Sequence, residues 1–228
     1  GTDITNQLIN PTNAVQTVIY HFKARIRDDR AGHLGFFCDQ GGDTTITVYV
    51  QPTPKLSVSI PDTIVCDSTT ITITVDDLNG NVHPNTTKVY QLTTTNAGGV
   101  LNVQPAGEYP AGTDITNQLI NPTSAVQTVI YHFKARIRDD RPGHIGSFCD
   151  QGGDTTITVY VQPTPKLAVS IPDTIVCDST TITITVDDLN GNVHPNTTKV
   201  YQLTTTNAGG VLNVQPAGEY PAGTDITN

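Results

Sequence analysis

The chain has 228 residues, a formal net charge of −9 and neither Met nor Trp, and 36% of its residues are hydrophobic, 6% aromatic and 14% charged. This composition suits a thin β core better than a helical one, and a chain of this length without Met is expected to be a piece of a larger protein. No run reaches the roughly 18 apolar residues that cross a bilayer, so we expect no membrane insertion in this segment, and the acidic balance argues against nucleic acid as a partner.

The sequence is an internal repeat. GTDITNQLINPT begins at Gly1 and again at Gly112, which gives a period of 111 residues. The two full copies differ at five positions: Asn13/Ser124, Ala31/Pro142, Leu34/Ile145, Phe36/Ser147 and Ser57/Ala168. Near-identical copies offer little to an enzyme and add reach to an extended array, so they favour a spacer or a multivalent binder without catalytic activity or cofactor.

The boundaries of one domain are expected at the two Gln-Pro-Thr-Pro segments, 51–54 and 162–165, because proline breaks a sheet ladder. Residues 1–51 then form the C-terminal part of a preceding repeat, 52–162 one complete repeat, and 163–228 the N-terminal part of a following one. The partners expected are therefore neighbouring identical repeats, either along a longer array or by head-to-tail completion between separate chains. Two prolines in each boundary also stiffen the linker.

Within 52–162 the apolar residues alternate with polar ones, which is the period of half-buried strands. The segment Asn96-Ala97-Gly98-Gly99 predicts a hairpin turn between two of these strands. The longest run, 128–138, is expected to be a central strand with one face on the core and the other in water. In chain order the predicted strands are 56–60, 71–75, 88–95, 100–103, 115–119, 128–138 and 157–161. Seven short strands without helical periodicity predict an all-β fold of tandem immunoglobulin-like β-sandwich repeats.

The loop motif Asp76-Asp77-Leu78-Asn79-Gly80-Asn81 precedes the third predicted strand and recurs at 187–192. The oxygens of Asp76, Asp77, Asn79 and Asn81 make it a weak Ca²⁺ candidate. It lacks the distal bidentate Glu of a helix-loop-helix site, and Asn-Gly is itself a turn signal. The turn is the favoured interpretation, and no metal is expected.

The loop 139–154 contains three of the five differences between the copies, which predicts an exposed, variable segment suited to contacts. Its binding candidates are Arg141, His144, Phe148 and Asp150. The alternative function is therefore a lectin-like module that binds carbohydrate through this loop. A nucleophilic role for its cysteine is not expected, because a Gly-rich loop holds no base rigidly in place.

Two cysteines per repeat indicate an oxidising compartment. A disulfide between Cys66 and Cys149 would close the complete domain and stabilise it by on the order of 4 kcal/mol. The usual strand order places these residues at opposite ends of a sandwich. A bond between successive repeats, or free thiols, therefore remain alternatives.

Several segments resemble the PKD-like repeats of very large surface adhesins that gliding bacteria export by the type IX route. They are Thr113-Asp114-Ile115, Asn121-Pro122-Thr123, 127–131, the Cys149 loop and 156–165. The resemblance implies an extracellular, cell-surface protein that acts as an adhesive, semi-rigid stalk, with surface polysaccharide or a host or other substratum as possible partners.

Short Asp-Ser/Thr triplets resemble the O-glycan acceptor signal of secreted proteins in the same bacterial group. The implied attachment sites are Thr44, Thr63, Ser68, Thr155, Thr174 and Ser179. The alternative is local turn chemistry, in which Asp bonds to the backbone that follows it.

Overall fold

The structure is a computed structural model that describes residues 3–33, 35–207 and 209–227. The repeat start at Gly1 and the differing position Leu34 lie outside the described residues. Strands and turns make up the described chain, and no helix occurs within it. None of its segments is therefore a helix long and apolar enough to cross a membrane.

The N-terminal segment contains four strands in two antiparallel pairs. The longer pair, β1 and β4, runs in register from Gln16 opposite Val50 to Lys23 opposite Asp43. The shorter pair joins β2 and β3. Their bounds are β1 Gln16–Lys23, β2 Ile26–Arg27, β3 Phe37–Cys38 and β4 Asp43–Val50.

The central segment forms a two-sheet sandwich. One sheet has the order β10-β7-β5, and the other has the order β6-β13-β11-β8-β9 with β12 also paired to β11. The strands are β5 Leu56–Ser59, β6 Ile64–Val65, β7 Thr69–Asp77, β8 Thr86–Thr95, β9 Gly107–Pro110, β10 Ile115–Leu119, β11 Gln127–Asp139, β12 Phe148–Cys149 and β13 Asp154–Val161.

The core lies between these two sheets and follows the alternation of the sequence. Every second residue of β11, from Val129 to Ile137, is buried. Tyr131 and Phe133 point inward from β11 and meet Ile73 and Leu119 from the opposite sheet in one hydrophobic cluster. The all-β, immunoglobulin-like fold class is confirmed.

The predicted hairpin between 88–95 and 100–103 is wrong. Val100 is buried, but Leu101 makes a single bridge to Ile120, and Asn102 adopts φ 58, which interrupts a ladder. On the edge away from β11, β8 pairs antiparallel with β9, from Val89 opposite Pro110 to Leu92 opposite Gly107. The alternation in Gly-Glu-Tyr-Pro is too short to predict a strand without its partner.

The C-terminal segment repeats the first half of the sandwich. Its sheets have the orders β14-β15-β18 and β16-β17. The strands are β14 Leu167–Ser170, β15 Thr183–Asp188, β16 Val200–Leu203, β17 Gly218–Pro221 and β18 Ile226–Thr227.

Identical sequences form shorter strands wherever their partner strand lies outside the segment. β16 has four residues, whereas its copy β8 has ten and pairs along its length with β11. The copy of β11 is divided into β1 and β2. Residues 175–176, both described, form no strand, although their copy 64–65 pairs with β13. Among the described residues, the N-terminal segment therefore contains only copies of β11, β12 and β13. The C-terminal segment, as far as it is described, contains only copies of β5 and β7 to β10.

Candidate functional site: the junction between repeats

The loop after β7 forms the junction with the preceding segment through two backbone hydrogen bonds. The Gly80 N–H donates to the Asn13 carbonyl over 2.8 Å, and the Val15 N–H donates to the Asn81 carbonyl over 2.7 Å. A Cβ added at Gly80 would lie 3.4 Å from the Ala14 Cβ. The two backbones therefore lie in van der Waals contact at this position.

The glutamine at the end of each segment fastens the linker to the next. Gln51 donates from Nε2 to the Thr86 hydroxyl over 3.1 Å, and its Oε1 accepts the His83 N–H over 3.3 Å. The Tyr49 and His83 rings lie 4.5 Å apart. The His83 Nδ1 accepts the Asn85 N–H over 3.2 Å, which orients the imidazole against Tyr49.

The same contacts recur 111 residues later. The Gly191 N–H donates to the Ser124 carbonyl, and the Val126 N–H donates to the Asn192 carbonyl, both over 2.7 Å. Gln162 bonds to Thr197 and to the His194 N–H, whose ring lies 4.5 Å from Tyr160. The exchange of Asn13 for Ser124 leaves this geometry intact, because the contact uses a backbone carbonyl.

The residues weighed as a Ca²⁺ site instead build the junction loop. Asp77 pairs with Lys88, and its carboxylate also accepts the Asn79 N–H over 2.9 Å. Asn79 accepts the Lys55 N–H over 2.7 Å and donates to the Thr53 carbonyl over 2.9 Å, which binds the linker to the loop.

Asp76 and Asp77 are successive residues of β7, so their side chains point to opposite faces of the strand. Asp76 lies opposite Ser57 in the β5–β7 ladder, and Asn81 contributes its carbonyl to the junction. No group of three potential ligands among His, Cys, Asp and Glu occurs in the described part of the chain.

Lys88, on β8, stabilises the junction loop through hydrogen bonds to its backbone. Its ammonium donates to the Asn79 carbonyl over 3.1 Å and to the Gly80 carbonyl over 3.3 Å. Lys199 makes the same contacts in the second junction, where its hydrogen bond lowers the pKa of Asp188. Each junction loop is thus fixed by one lysine.

Asp67, in the central sandwich, binds the second linker through a hydrogen bond to Thr164. One carboxylate oxygen accepts the Thr164 hydroxyl over 2.5 Å, and the other accepts the Asn121 N–H over 2.7 Å. The hydrogen bond from Thr164 is the main cause of a lowered pKa at Asp67. Linker and sandwich are therefore joined by side chains on both sides.

The predicted disulfide between Cys66 and Cys149 is wrong, since none of the four cysteines, all of them described and exposed, is bonded. Val65 lies opposite Val161, which lies opposite Gln127, whereas Cys149 lies opposite Ile137. Ten residues of strand therefore separate the two cysteines, about 34 Å at 3.4 Å per residue. A disulfide requires Cα atoms within roughly 7 Å.

The predicted binding loop is held by a local ion pair. The Arg141 guanidinium contacts the Asp139 carboxylate at 2.6 Å, and this hydrogen bond holds the pKa of Asp139 well below its usual range. The Arg136 guanidinium lies 4.7 Å from the centre of the Phe148 ring. His144 and Asp150 are exposed, and the role of all four candidates in binding stays a prediction.

Five of the six predicted glycosylation sites are exposed, and Thr155 is half-buried in β13. The turn alternative also has support, because Asp62 accepts the Ile64 N–H and Asp173 accepts the Ile175 N–H, both over 2.9 Å. Ser68 and Ser179 both adopt φ 62. Attachment of sugars stays a prediction.

Sequence reasoning identified the proline linkers but missed Gln51, His83 and the turn 13–15 as junction residues. A glutamine next to Pro52 carries no signal of its own, because its partners lie 32 and 35 residues away in the chain. The signal that existed was the second copy, since both partners recur at the same spacing.

No family model matches the chain, and no curated protein matches it. Similar solved structures include a chaperone–tip adhesin complex described as vital for synergistic activation of CFA/I fimbriae biogenesis. It has 12% identity over 75% of this chain and 84% of that chain, and a TM-score of 0.31. A Salmonella enterica SafA pilin in complex with the SafB chaperone has 15% identity over 75% and 82%, with a TM-score of 0.29. The class 5 fimbriae chaperone CfaA has 10% identity over 75% and 82%, with a TM-score of 0.29.

Proposed function

We propose that the chain is a structural and adhesive repeat segment of a large extracellular surface protein or filament, acting as a semi-rigid stalk that presents many copies of one unit. The observation that carries this proposal is the recurrence of one set of junction contacts at both linkers. A flexible tether needs no such contacts, whereas a stalk transmits orientation through them.

The contacts act on several parts of the junction at once. Backbone pairs join the loop 78–83 to the preceding turn, Gln51 joins the end of β4 to the same loop, and Asn79 binds the linker itself. Bending at the linker would break hydrogen bonds on more than one side. We therefore assign stiffness to the junction and not to the prolines alone.

We further propose that residues 163–227 are completed by residues 3–51 of a neighbouring repeat, here a second copy of the chain. Phe22 is 41% exposed, whereas its copy Phe133 is 1% exposed; Val211 is 67% exposed, whereas Val100 is 3% exposed. The central sandwich supplies the geometry of the completed unit, because there the same two sets of strands cover each other.

The exposed area supports this completion. The chain exposes 14719 Å², whereas a compact chain of 24.3 kDa exposes roughly 10,000 Å². The excess is larger than the roughly 1,600 Å² buried in a standard interface. This excess includes the exposed apolar side chains of the two outer segments, which the proposed contact would cover.

The extracellular location, the PKD-like family, a role in gliding adhesion and O-glycans at the exposed threonines and serines belong to the same proposal. Their support is the motif resemblance and the exposure of five of the six acceptor residues. Glycans on exposed turns would leave the core and the junctions free.

Small-angle scattering on arrays of two, three and four copies of the 111-residue unit tests the stalk. We expect the maximum dimension to grow in proportion to copy number. Arrays carrying Gln51→Ala at every equivalent position are the control, and we expect a broader distribution of dimensions. A wild-type array whose dimension grows only as the square root of copy number would contradict the stalk.

Carbohydrate binding through the loop 139–154 is a second candidate, favoured by the tip residue Ile145, which is 91% exposed on a loop held by the Asp139–Arg141 pair. An apolar side chain held out into water is suited to contact with a sugar face. Glycan-array binding by the chain, lost on Ile145→Asp together with Phe148→Ala, would support it. The absence of binding to any glycan would contradict it.

A further inference from the structure

Each linker is bordered by one cysteine of this chain. Cys149, on β12, lines a cleft together with Gln51, Pro52 and Pro54 of the first linker. Cys66, directly after β6, lines a cleft together with the second linker, at Gln162, Pro163 and Pro165.

The two linkers have the same sequence and the same junction contacts. The two clefts are therefore equivalent positions in successive junctions, and each contains one of the two kinds of cysteine. Shifting either cleft by 111 residues places both kinds of cysteine beside one linker. One comes from the repeat before the linker, in the position of Cys66, and the other from the repeat after it, in the position of Cys149.

In the head-to-tail completion proposed above, the copies of these residues supply the missing partners. Residues 3–51 of the second copy bring Cys38, the copy of Cys149, to the linker 162–165, where Cys66 lies. Residues 163–227 bring Cys177, the copy of Cys66, to the linker 51–54 of the second copy, where its Cys149 lies.

We propose that head-to-tail contacts are locked by two disulfides between copies, Cys66 with Cys38 of the second copy and Cys177 with its Cys149. This inference rests on the proposed head-to-tail completion. It also accounts for four exposed thiols that have no partner within the chain, because the strands hold the two cysteines of one repeat about 34 Å apart.

The bonds form by thiol–disulfide exchange with a small disulfide such as oxidised glutathione. One thiolate attacks a glutathione sulfur and releases one reduced glutathione, and the second thiolate then displaces the other. Two cysteine thiols lose two electrons and two protons, and one oxidised glutathione becomes two reduced molecules. Desolvation and the charges of Asp139 and Asp150 raise the pKa of the Cys149 thiol, so mildly alkaline buffer favours its reaction.

A pair of variants of the full chain tests the pairing. C38S/C149S retains only Cys66 and Cys177, and C66S/C177S retains only Cys38 and Cys149. With oxidised glutathione at mildly alkaline pH, neither variant alone should form covalent dimers. Their mixture should form a one-to-one dimer, in roughly tenfold or greater excess over either homodimer because association raises the effective thiol concentration. Peptide mass spectrometry should find Cys38 linked to Cys66 and Cys149 linked to Cys177.

Association is measured separately by sedimentation in reductant. If the chains associate but link at random, form homodimers or remain reduced, the disulfide inference is wrong and head-to-tail completion stands. If the chains do not associate, completion fails and the disulfide inference fails with it. A peptide linking Cys66 to Cys149 would also overturn the inference.

Discussion

Asn121 is the buried polar residue that shapes the turn in front of the second junction. Its amide donates to the Ala125 carbonyl over 2.8 Å and to the Val161 carbonyl over 2.9 Å, while its Oδ1 accepts the Thr123 N–H and hydroxyl. Buried polar groups persist when all their hydrogen bonds are made. One side chain thus connects β13 to the segment that contacts the next repeat.

We expect Asn121→Ala to lower the free energy of unfolding of the central sandwich by about 1–3 kcal/mol, because the carbonyls of Ala125 and Val161 lose their donor. Urea unfolding followed by tyrosine fluorescence measures it. Asn10→Ala removes the equivalent bonds in the N-terminal segment and should leave this transition within error. Equal effects of the two substitutions would contradict the assignment.

Tyr90 and Tyr131 make the free energy of unfolding of the core sensitive to alkaline pH. Burial raises the pKa of each phenol from 10.0 to about 12. A folded-state pKa above the unfolded value makes the unfolded chain release protons first. The free energy of unfolding should therefore hold its neutral-pH level below about pH 10 and decline as the pH approaches 12. Phenolate absorbance should show a component that titrates near pH 12, and Tyr90→Phe should reduce it.

The junction loop is the element on which the proposed stalk depends. Hydrogen bonds of Asp77 and Asn79 shape the loop, and the Lys88 ammonium donates to a loop carbonyl. Backbone groups of the loop bond to the preceding segment. In the sequence the same residues are a weak cation candidate beside the favoured turn, because short oxygen-rich loops suit both purposes. The lysine that pairs with Asp77 lies on β8. A motif confined to the loop therefore does not include it.

We expect Lys88→Met to raise the hydrogen-exchange rate of the Gly80 and Val15 amides by roughly tenfold, because the loop loses a charge-assisted anchor. Exchange read by NMR measures both amides. Lys199→Met is the matched control in the second junction and should accelerate Gly191 while leaving Gly80 unchanged. Unaltered exchange at Gly80 in Lys88→Met would show that the backbone pairs hold the loop without the lysine.

At the scale of the whole molecule, the chain carries one covered sandwich and two complementary open faces. The open faces display side chains whose copies are buried in the central core. Such surfaces are costly in water unless a partner covers them. Under the head-to-tail completion proposed above, we expect a second copy of the chain to cover them.

Substitutions at the equivalent residues Phe22 and Phe133 distinguish an effect on association from an effect on folding. We expect Phe22→Asp to weaken association of the chain by a large factor, because a carboxylate would enter the completed core unpaired. Its central unfolding transition should be unchanged. Phe133→Asp should instead unfold the central sandwich, where Phe133 is already buried. Sedimentation measures the first effect and urea unfolding the second; a Phe22→Asp chain that associates as wild type would contradict head-to-tail completion.

The sequence by itself determined the repeat, the all-β class and the inward face of β11, because alternation and self-similarity are local properties of the chain. It predicted six of the central strands within a few residues. It did not predict β6 or β9, whose few residues become strands only beside β13 and β8.

Only the tertiary structure decided the disulfide, the junction and the use of the oxygen-rich loop. The usual strand order raises an objection to a bond between Cys66 and Cys149 but leaves it open, and the strand register shows that the two residues are too far apart. Gln51 and Lys88 acquire their roles from partners on other elements. These questions depend on which segments of the folded chain lie next to each other, and long-range strand pairing decides that.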